Sequence, residues 1–350
     1  MIDWTASGVQ HRFEFWLVDS RTLEEVSLLD GVTSFSLSES WRGDFRQTGQ
    51  LDLDGETLPL WGAVRVYMSS SLGSEVEREE LCTLLPEPAG VELERGRAQA
   101  SYDLKSMLWK LDTNLQPVDK GVPAGTDIAA HFSQVVSASG ATPSVHPGVG
   151  GSTRSARVWE AGDSHLTEAH AMANACNGRV EPDSHGRVCL VPYQNPARIS
   201  DSFDIPAGAA SVVLPGLSED APEICNRVIA NYSQDDSKWF ASATVDPTHP
   251  WSYETIGRYE TMEVSPPQIK EGDSVQAVLD ALVAQTLREH SQTQRTWSVE
   301  MLYMPIRPGR AGTLEYVDGT VAQSVRGFVS ARGLDWSGAS LTMELEIEEV

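Results

Sequence analysis

The sequence predicts a mixed, β-rich α+β protein in which two β-barrel or sandwich domains flank a small α/β domain. Three observations predict it. Residues 1–112 hold six short segments of strand character, residues 121–195 change to a helix, loop, helix and hairpin, and residues 226–350 return to strands around one amphipathic helix. The expected divisions are 1–115, 116–215 and 216–350, in keeping with roughly 100–200 residues per domain.

In the first segment, His11 to Val18 is aromatic-rich and stops at Asp19-Ser20. Val32 to Ser38 alternates apolar and polar residues, the mark of a strand with one buried and one wet face. A turn over Trp41-Arg42-Gly43-Asp44-Phe45 leads to a second alternating stretch, Gly49 to Gly55, which together make a hairpin. Ala63 to Met68, Glu79 to Leu85 and Gln99 to Leu104 supply three further strands. Short strands separated by turn signals fit a sandwich or small barrel better than a βαβ sheet.

In the middle segment, Thr126 is the expected cap of a helix that runs to about Ser139, ahead of Gly140. Residues 143–155, rich in Pro, Gly and Ser, read as loop, and Gly148 to Ser152 as flexible linker, since no Lys-Ser or Lys-Thr follows to make a phosphate loop. Asp163-Ser164 caps an Ala-rich helix that ends at Asn177-Gly178, a pair suited to a left-handed residue. Arg179 to Pro182 and Gly186 to Val191 then form a hairpin about Asp183-Ser184-His185.

In the last segment, Asn226 to Tyr232 is a strand, and residues 233–267, with Pro247, Pro250, Pro266 and Pro267, read as a long excursion. Asp273 or Ser274 caps the clearest helix, whose stripe is Val275, Val278, Leu279, Leu282, Val283 and Leu287. Thr296 to Leu302 is a strand, Pro308-Gly309 a tight turn, and three strands close the chain, with Ser340 to Glu348 alternating cleanly. One internal echo appears: residues 32–54 and 325–347 are both hairpins with a tryptophan, Trp41 or Trp336, at a Gly-containing tip.

Lys plus Arg total 26 against 50 Asp plus Glu, a formal net charge of −24. Residues 1–112 carry 10 basic and 20 acidic residues, 113–215 carry 6 and 9, and 216–350 carry 10 and 21, so the excess lies at the two ends. Such a chain does not grip DNA or anionic lipid by neutralising phosphates. Its charge serves solubility, or a surface that must face nucleic acid without sticking to it. Cys82, Cys176, Cys189 and Cys225 are irregularly spaced, neither a disulfide framework nor a zinc set, and fit core thiols in a reducing compartment. The start, Met1-Ile2-Asp3-Trp4-Thr5, lacks the features of a secretory leader, and no run of 18 apolar residues occurs; a cytoplasmically made protein without a membrane span is expected.

No motif assigns a catalytic, cofactor or metal site. His165 and His170, five apart on a helix, point to different sides; with Asp163 and Glu168 nearby they read as polar helix surface rather than a metal site. Arg42-Gly43-Asp44 reads as a turn rather than an adhesion tripeptide. Glu79-Glu80 and Glu348-Glu349 read as charge on solvated edges, lacking the cleft that acid–base work needs. Asn231-Tyr232-Ser233 matches a glycosylation sequon inside a strand, where it is expected to be idle. Of ten tryptophans, Trp41, Trp61, Trp239, Trp251 and Trp336 sit near turns, as packing at barrel ends or as contact anchors.

The order of segments resembles the bacteriophage tail-tip and baseplate hub family, which includes siphophage minor tail proteins and the myophage baseplate hub and late control proteins. The resemblance rests on the helix Leu166 to Asn177 followed by Gly178-Arg179-Val180-Glu181 and Gly186-Arg187-Val188, on the strand Asn226-Arg227-Val228-Ile229, and on helix 274–290, strand 296–302 and the Pro308-Gly309 turn. It covers about two-thirds of the chain by element order and short patterns. One departure is Arg310, where an acidic residue is expected after the Pro-Gly turn. The resemblance implies two tube-type β-barrels per subunit and a homotrimer forming a pseudo-sixfold ring. The ring would join the tail tube to tip proteins around the passage for DNA. Implied partners are the distal tail or tail tube protein, the tape measure protein and other tip or fibre proteins, with DNA only as transient cargo and the virion as location. No lysozyme or needle extension is expected, so any puncturing role falls to another chain. The competing expectations are a distal tail ring or receptor-binding tail protein, and a carbohydrate-active tail enzyme.

Overall fold

The computed structural model describes all of the chain except residues 1, 3, 5–7, 56, 88–90, 95–96, 154–155, 208–211, 219–224, 235–236, 250, 265–273, 292–294, 319–320 and 339. The first segment supplies β1 (Gln10–Asp19), β2 (Glu25–Leu28), β3 (Val32–Ser40), β4 (Gln47–Asp54), β5 (Gly62–Leu72), β6 (Glu75–Pro86), β7 (Val91–Glu94) and β8 (Arg97–Ser106). The middle adds α1 (Leu108–Thr113), β9 (Lys120–Val122), α2 (Ile128–Ala138), β10 (Pro143–Val145), β11 (Arg157–Trp159), α3 (His165–Ala175), β12 (Gly178–Pro182) and β13 (Val188–Pro192). There follow β14 (Asp201–Ile205), β15 (Val212–Ser218), β16 (Arg227–Gln234), β17 (Ser237–Thr244), α4 (Tyr253–Ile256), β18 (Thr261–Val264) and α5 (Val275–His290). The chain closes with β19 (Thr296–Met301), β20 (Ala311–Asp318), β21 (Val321–Trp336) and β22 (Leu341–Glu349).

The β-rich expectation is realised, and most strands lie where alternation placed them. Among the described residues, 14 strands join in one sheet whose main path is β15-β19-β22-β21-β3-β4-β8-β6-β5-β1-β2. Strand β21 is the hinge of this arrangement. Its first half pairs with β20, its second half, Ala331–Trp336, pairs antiparallel with Ser40–Phe35 of β3, and β22 runs along its other edge. The register shifts between Val329 and Ala331, and the Ser330 carbonyl thereby accepts from the Trp41 amide at 2.7 Å. A bulge bends a strand and lets one half leave one partner for another.

The chain forms two compact units, Met1–Gly216 with Trp297–Val350, and Leu217–Thr296. The N-terminal strands and the closing strands fall together in the larger unit. The physical reason is the β3–β21 ladder: strands from both ends share one sheet and one apolar cluster, in which Phe35, Leu37, Leu51 and Leu84 meet Trp297, Leu334, Met343 and Leu345. The middle segment likewise shares its core with the first. Phe132, Leu166, Met172 and Leu190 pack in a second cluster with Val18, Ala63 and Leu85 of the strands.

Caps fix the helices. Asp127, rather than Thr126, caps α2 by accepting from the Ala130 amide at 2.8 Å. Ser164 caps α3 and Ser274 caps α5; Asp273 lies outside the described residues. Asn177 takes the left-handed φ of 54° that its place after α3 requires. The Gly148–Ser152 run is tied down rather than a free linker: Val149 is buried and the Gly151 carbonyl accepts from the Ile128 amide at 2.9 Å.

The smaller unit corrects the expected excursion over 233–267. Within it β17 pairs along the whole of β16, and β18 pairs with β16 on the other side; Pro266 and Pro267 lie outside the described residues. Helix α5 covers one face of this sheet, burying Leu279 and Val283 against Val228, Ala230 and Ala241. No helix among the described residues is long and apolar enough to cross a membrane.

Candidate functional site

Period-two alternation gives the large sheet two unlike faces. On one, Leu334, Leu37 and Leu104 join the apolar cluster. On the other, a recess of about 790 Å³ runs across β22, β21, β3, β4 and β8. Its floor is made of cross-strand rows. Thr342, Asp335, Ser36, Gln50 and Asp103 stand side by side in consecutive strands. Beside them run Glu344, Gly333, Ser38, Thr48 and Lys105. Each row starts on a strand from the C-terminal end and finishes on one from the N-terminal end, so only the β3–β21 ladder makes the face continuous.

The face is hydroxylic and acidic. Among the described residues, Glu87, Asp103, Glu300, Asp335 and Glu344 line it against one cation, Lys105, which is ion-paired with Glu87. Gln50 donates to Asp103 at 3.1 Å and Ser298 to Glu344 at 2.7 Å, which orients the carboxylates without neutralising them. Farther along, Ser34 donates to Asp52 at 2.5 Å, and Asp54 adds another charge. Among the described residues no aromatic ring lines the recess, which leaves nothing there for a base or a sugar to stack on.

Under this face the two ends are locked by buried ions. Arg332 and Glu39 are direct cross-strand neighbours, and the guanidinium Nε donates to Glu39 Oε2 at 2.6 Å. Gln47 donates to the other Glu39 oxygen at 3.0 Å, and Arg332 also donates to the Ile306 carbonyl at 3.2 Å. A second pair lies close by: Arg307 donates twice to Glu79 Oε1, at 2.6 and 3.0 Å, and the Tyr303 hydroxyl donates to the other oxygen. Burial pushes the Glu79 carboxyl up, but Arg307 and Tyr303 outweigh it and hold it below the usual carboxylate range.

No protein-family model matches the sequence, and the search of curated proteins gives no match. Solved structures do match. A tail protein from Neisseria meningitidis shares 12% identity at a TM-score of 0.66, over 96% of this chain and 96% of that one. The 43 kDa tail protein of prophage MuSo2 from Shewanella oneidensis shares 11% at 0.67, over 95% and 98%. Prophage tail protein gp18 from Listeria monocytogenes shares 9% at 0.56, over 96% and 94%. The chain has the phage tail-protein fold.

Within the tail-protein fold, the residues singled out from the sequence fall as follows. Glu168 is not helix surface: it is wholly buried, accepting from Gln116 at 2.5 Å, from Lys120 at 2.9 Å and lying 2.6 Å from His131 Nε2. Burial raises its carboxyl, yet the His131 and Lys120 contacts prevail and lower it. His165 is buried against Ser139 and Asn114 instead, and burial lowers it; His170 is lowered by burial and by Arg46. Asp163 accepts from the Glu160 amide ahead of α3. Among the described residues no group of three or more His, Cys, Asp or Glu could hold a metal ion.

Glu79 and Glu348 are not solvated edges either. Glu79 is held by Arg307 and Tyr303, Glu80 contacts His185 and Arg65, and Glu348 is buried beside Arg42. Arg42-Gly43-Asp44 forms the β3–β4 turn, its arginine bound to Glu348 at 2.7 Å. Asn231 lies in β16 and donates to Glu263. Cys82, Cys189 and Cys225 are buried free thiols, and Cys176 is half-buried. Trp41 meets Phe328 in the middle of β21, and Trp336 meets Phe13 and Phe15 of β1. Trp239 packs on Tyr232, whereas Trp61 is exposed.

The sequence reading missed the ion pairs because it treated carboxylates as solvent-facing by type. The available signal was parity: Glu39 and Arg332 share phase with Leu37 and Leu334, the buried face of their strands.

Proposed function

We propose that this chain is a non-enzymatic structural subunit of the virion, a tail-tip hub whose acidic concave face borders the DNA passage. Three copies, each contributing two tube-type β-domains built from the N- and C-terminal strands, would make a pseudo-sixfold ring. That ring would join the tail tube to the tip, with the distal tail, tape measure and fibre proteins as neighbours. The observation that carries the reading is the pair of rows that cross from β22 to β8 without interruption, bearing carboxylates and hydroxyls but no free lysine or arginine.

Magnitudes decide what such a face does. Two exposed like charges 4 Å apart repel by only about 1 kcal/mol in water, and salt screens them beyond roughly 8 Å. The face therefore does not drive DNA. It denies the phosphates the cation contacts by which proteins hold DNA, leaving the walls slippery.

The test is a cryo-EM reconstruction of assembled particles containing the chain. A threefold ring with Asp335 and Asp103 turned to the axis is expected. A sixfold ring of this chain, or a ring with those residues facing outward, overturns the proposal.

A further inference from the structure

A second recess, of about 780 Å³, lies away from the acidic face, where the β1–β2 turn meets the ends of α1 and α2. Its lining carries two basic side chains and one acidic one among the described residues. Two cations, Arg21 and Lys110, line it together, and among the described residues neither has a carboxylate within ion-pairing distance. Lys110 donates to the Ser20 carbonyl at 2.5 Å and to the Gly140 carbonyl at 2.9 Å, which leaves one ammonium hydrogen unused. Asp19, on the rim, spends its Oδ1 on the Arg21 and Thr22 amides. The wall beside these cations is apolar and bare: Leu60 is 87% exposed and Trp61 is 51% exposed.

Asp19 is the one carboxylate among the described residues that lines the recess, and it interacts electrostatically with both cations, which outnumber it. Burial and the neighbouring Arg21 pull the Lys110 ammonium down to about 8, against the opposite pull of Asp19. An anion seated between the two would relieve both. One unused ammonium hydrogen and one guanidinium fork suit the two oxygens of a carboxylate. Asp19 at the rim disfavours a dianion such as phosphate. The Leu60–Trp61 wall asks for an apolar side chain next to that carboxylate, the arrangement of an aromatic anchor beside a charged contact.

We infer that the Arg21–Lys110 recess docks an acidic peptide segment of a partner protein, seating a carboxylate between the cations and an adjacent apolar side chain on Leu60 and Trp61. This does not depend on the hub reading.

The test uses the full chain and calorimetric titration with a blocked hexapeptide of alternating leucine and glutamate. Its leucine–glutamine counterpart and inorganic phosphate serve as controls. The glutamate peptide is expected to bind and the glutamine peptide to bind at least tenfold more weakly, since a charge-assisted contact is worth about that factor. Arg21→Ala, an exposed change that leaves the fold intact, is expected to weaken the glutamate peptide about tenfold, and Trp61→Ala to weaken it as well. Equal binding of the two peptides, unchanged binding by Arg21→Ala, or displacement of the peptide by phosphate overturns the proposal. So does no binding at all.

Discussion

Arg332 and Glu39, 293 residues apart, face each other across the β3–β21 ladder with side chains 0% and 7% exposed. They join strands from opposite ends of the chain at the point where the sheet becomes continuous. Desolvating two charges is expensive, and only their mutual contact and the Gln47 and Ile306 bonds offset it. Removing one partner should therefore cost far more than removing both. Glu39→Ala is expected to destabilise the larger unit by about 3–5 kcal/mol, and the double variant Glu39→Leu/Arg332→Met by much less. Urea unfolding followed by tryptophan fluorescence measures both. A double variant as unstable as the single one would show that the charges themselves, not their pairing, hold the seam.

Gly309 ends the Pro308-Gly309 turn at φ 87°, and a Cβ there would run into the Trp41 ring. Trp41 cannot yield easily, since Phe328 lies 5.3 Å from it edge-on and the Arg179 guanidinium stacks 3.2 Å from its centre. Gly309→Ala thus adds backbone strain to overpacking and should destabilise by about 1–3 kcal/mol. Gly121→Ala, with nothing within 4 Å and no positive φ, is the control and should stay within about 0.5 kcal/mol. Thermal unfolding of the two variants side by side tests the contrast.

How much of this was legible in the sequence depends on distance along the chain. The β3–β4 hairpin, β22 and α5 follow from local alternation or a 3.6-residue stripe, and each falls within a few residues of its expected span. Strand β17 was hidden because its inward positions are the buried Ala241 and the partly buried Ala243 and Trp239, too small a stripe to mark a strand in a polar, Pro-flanked run. The β3–β21 pairing was hidden for another reason: both strands carry the same alternation, and nothing local says which strands will meet. Glu168 was read by its charge, yet on α3 it shares the buried face with Leu166, Ala169 and Met172.

Acid should unlock the middle segment through Glu168. Its folded carboxyl is held below the ordinary value of about 4.3, so the folded state releases this proton more readily than the unfolded chain. The resulting stability is fully present above that ordinary value and is lost as pH falls through the folded one. Glu168→Gln should lower stability at pH 7, because Lys120 and His131 lose their charged acceptor. It should also flatten the decline of stability with acid. Unfolding midpoints from pH 7 down to pH 3 for both proteins check this, and parallel curves would assign the acid sensitivity to other carboxylates, Glu79 first among them.

The concave face gives the prediction that separates folding from function. Asp103 and Asp335 are exposed, stand in one row and take part in no ion pair among the described residues. Replacing both by lysine should change stability by no more than about 1 kcal/mol, since the one bond lost, from Gln50 to Asp103, is exposed. The same change adds two cations to a wall whose one cation among the described residues, Lys105, is engaged with Glu87. If the face borders the DNA passage, each lysine can hold a phosphate, and retention should be strongest at low salt and fade as salt rises. Particles carrying the double variant should assemble normally and release their DNA more slowly, with the delay shrinking at high ionic strength. Normal release at low salt would place the face away from the DNA.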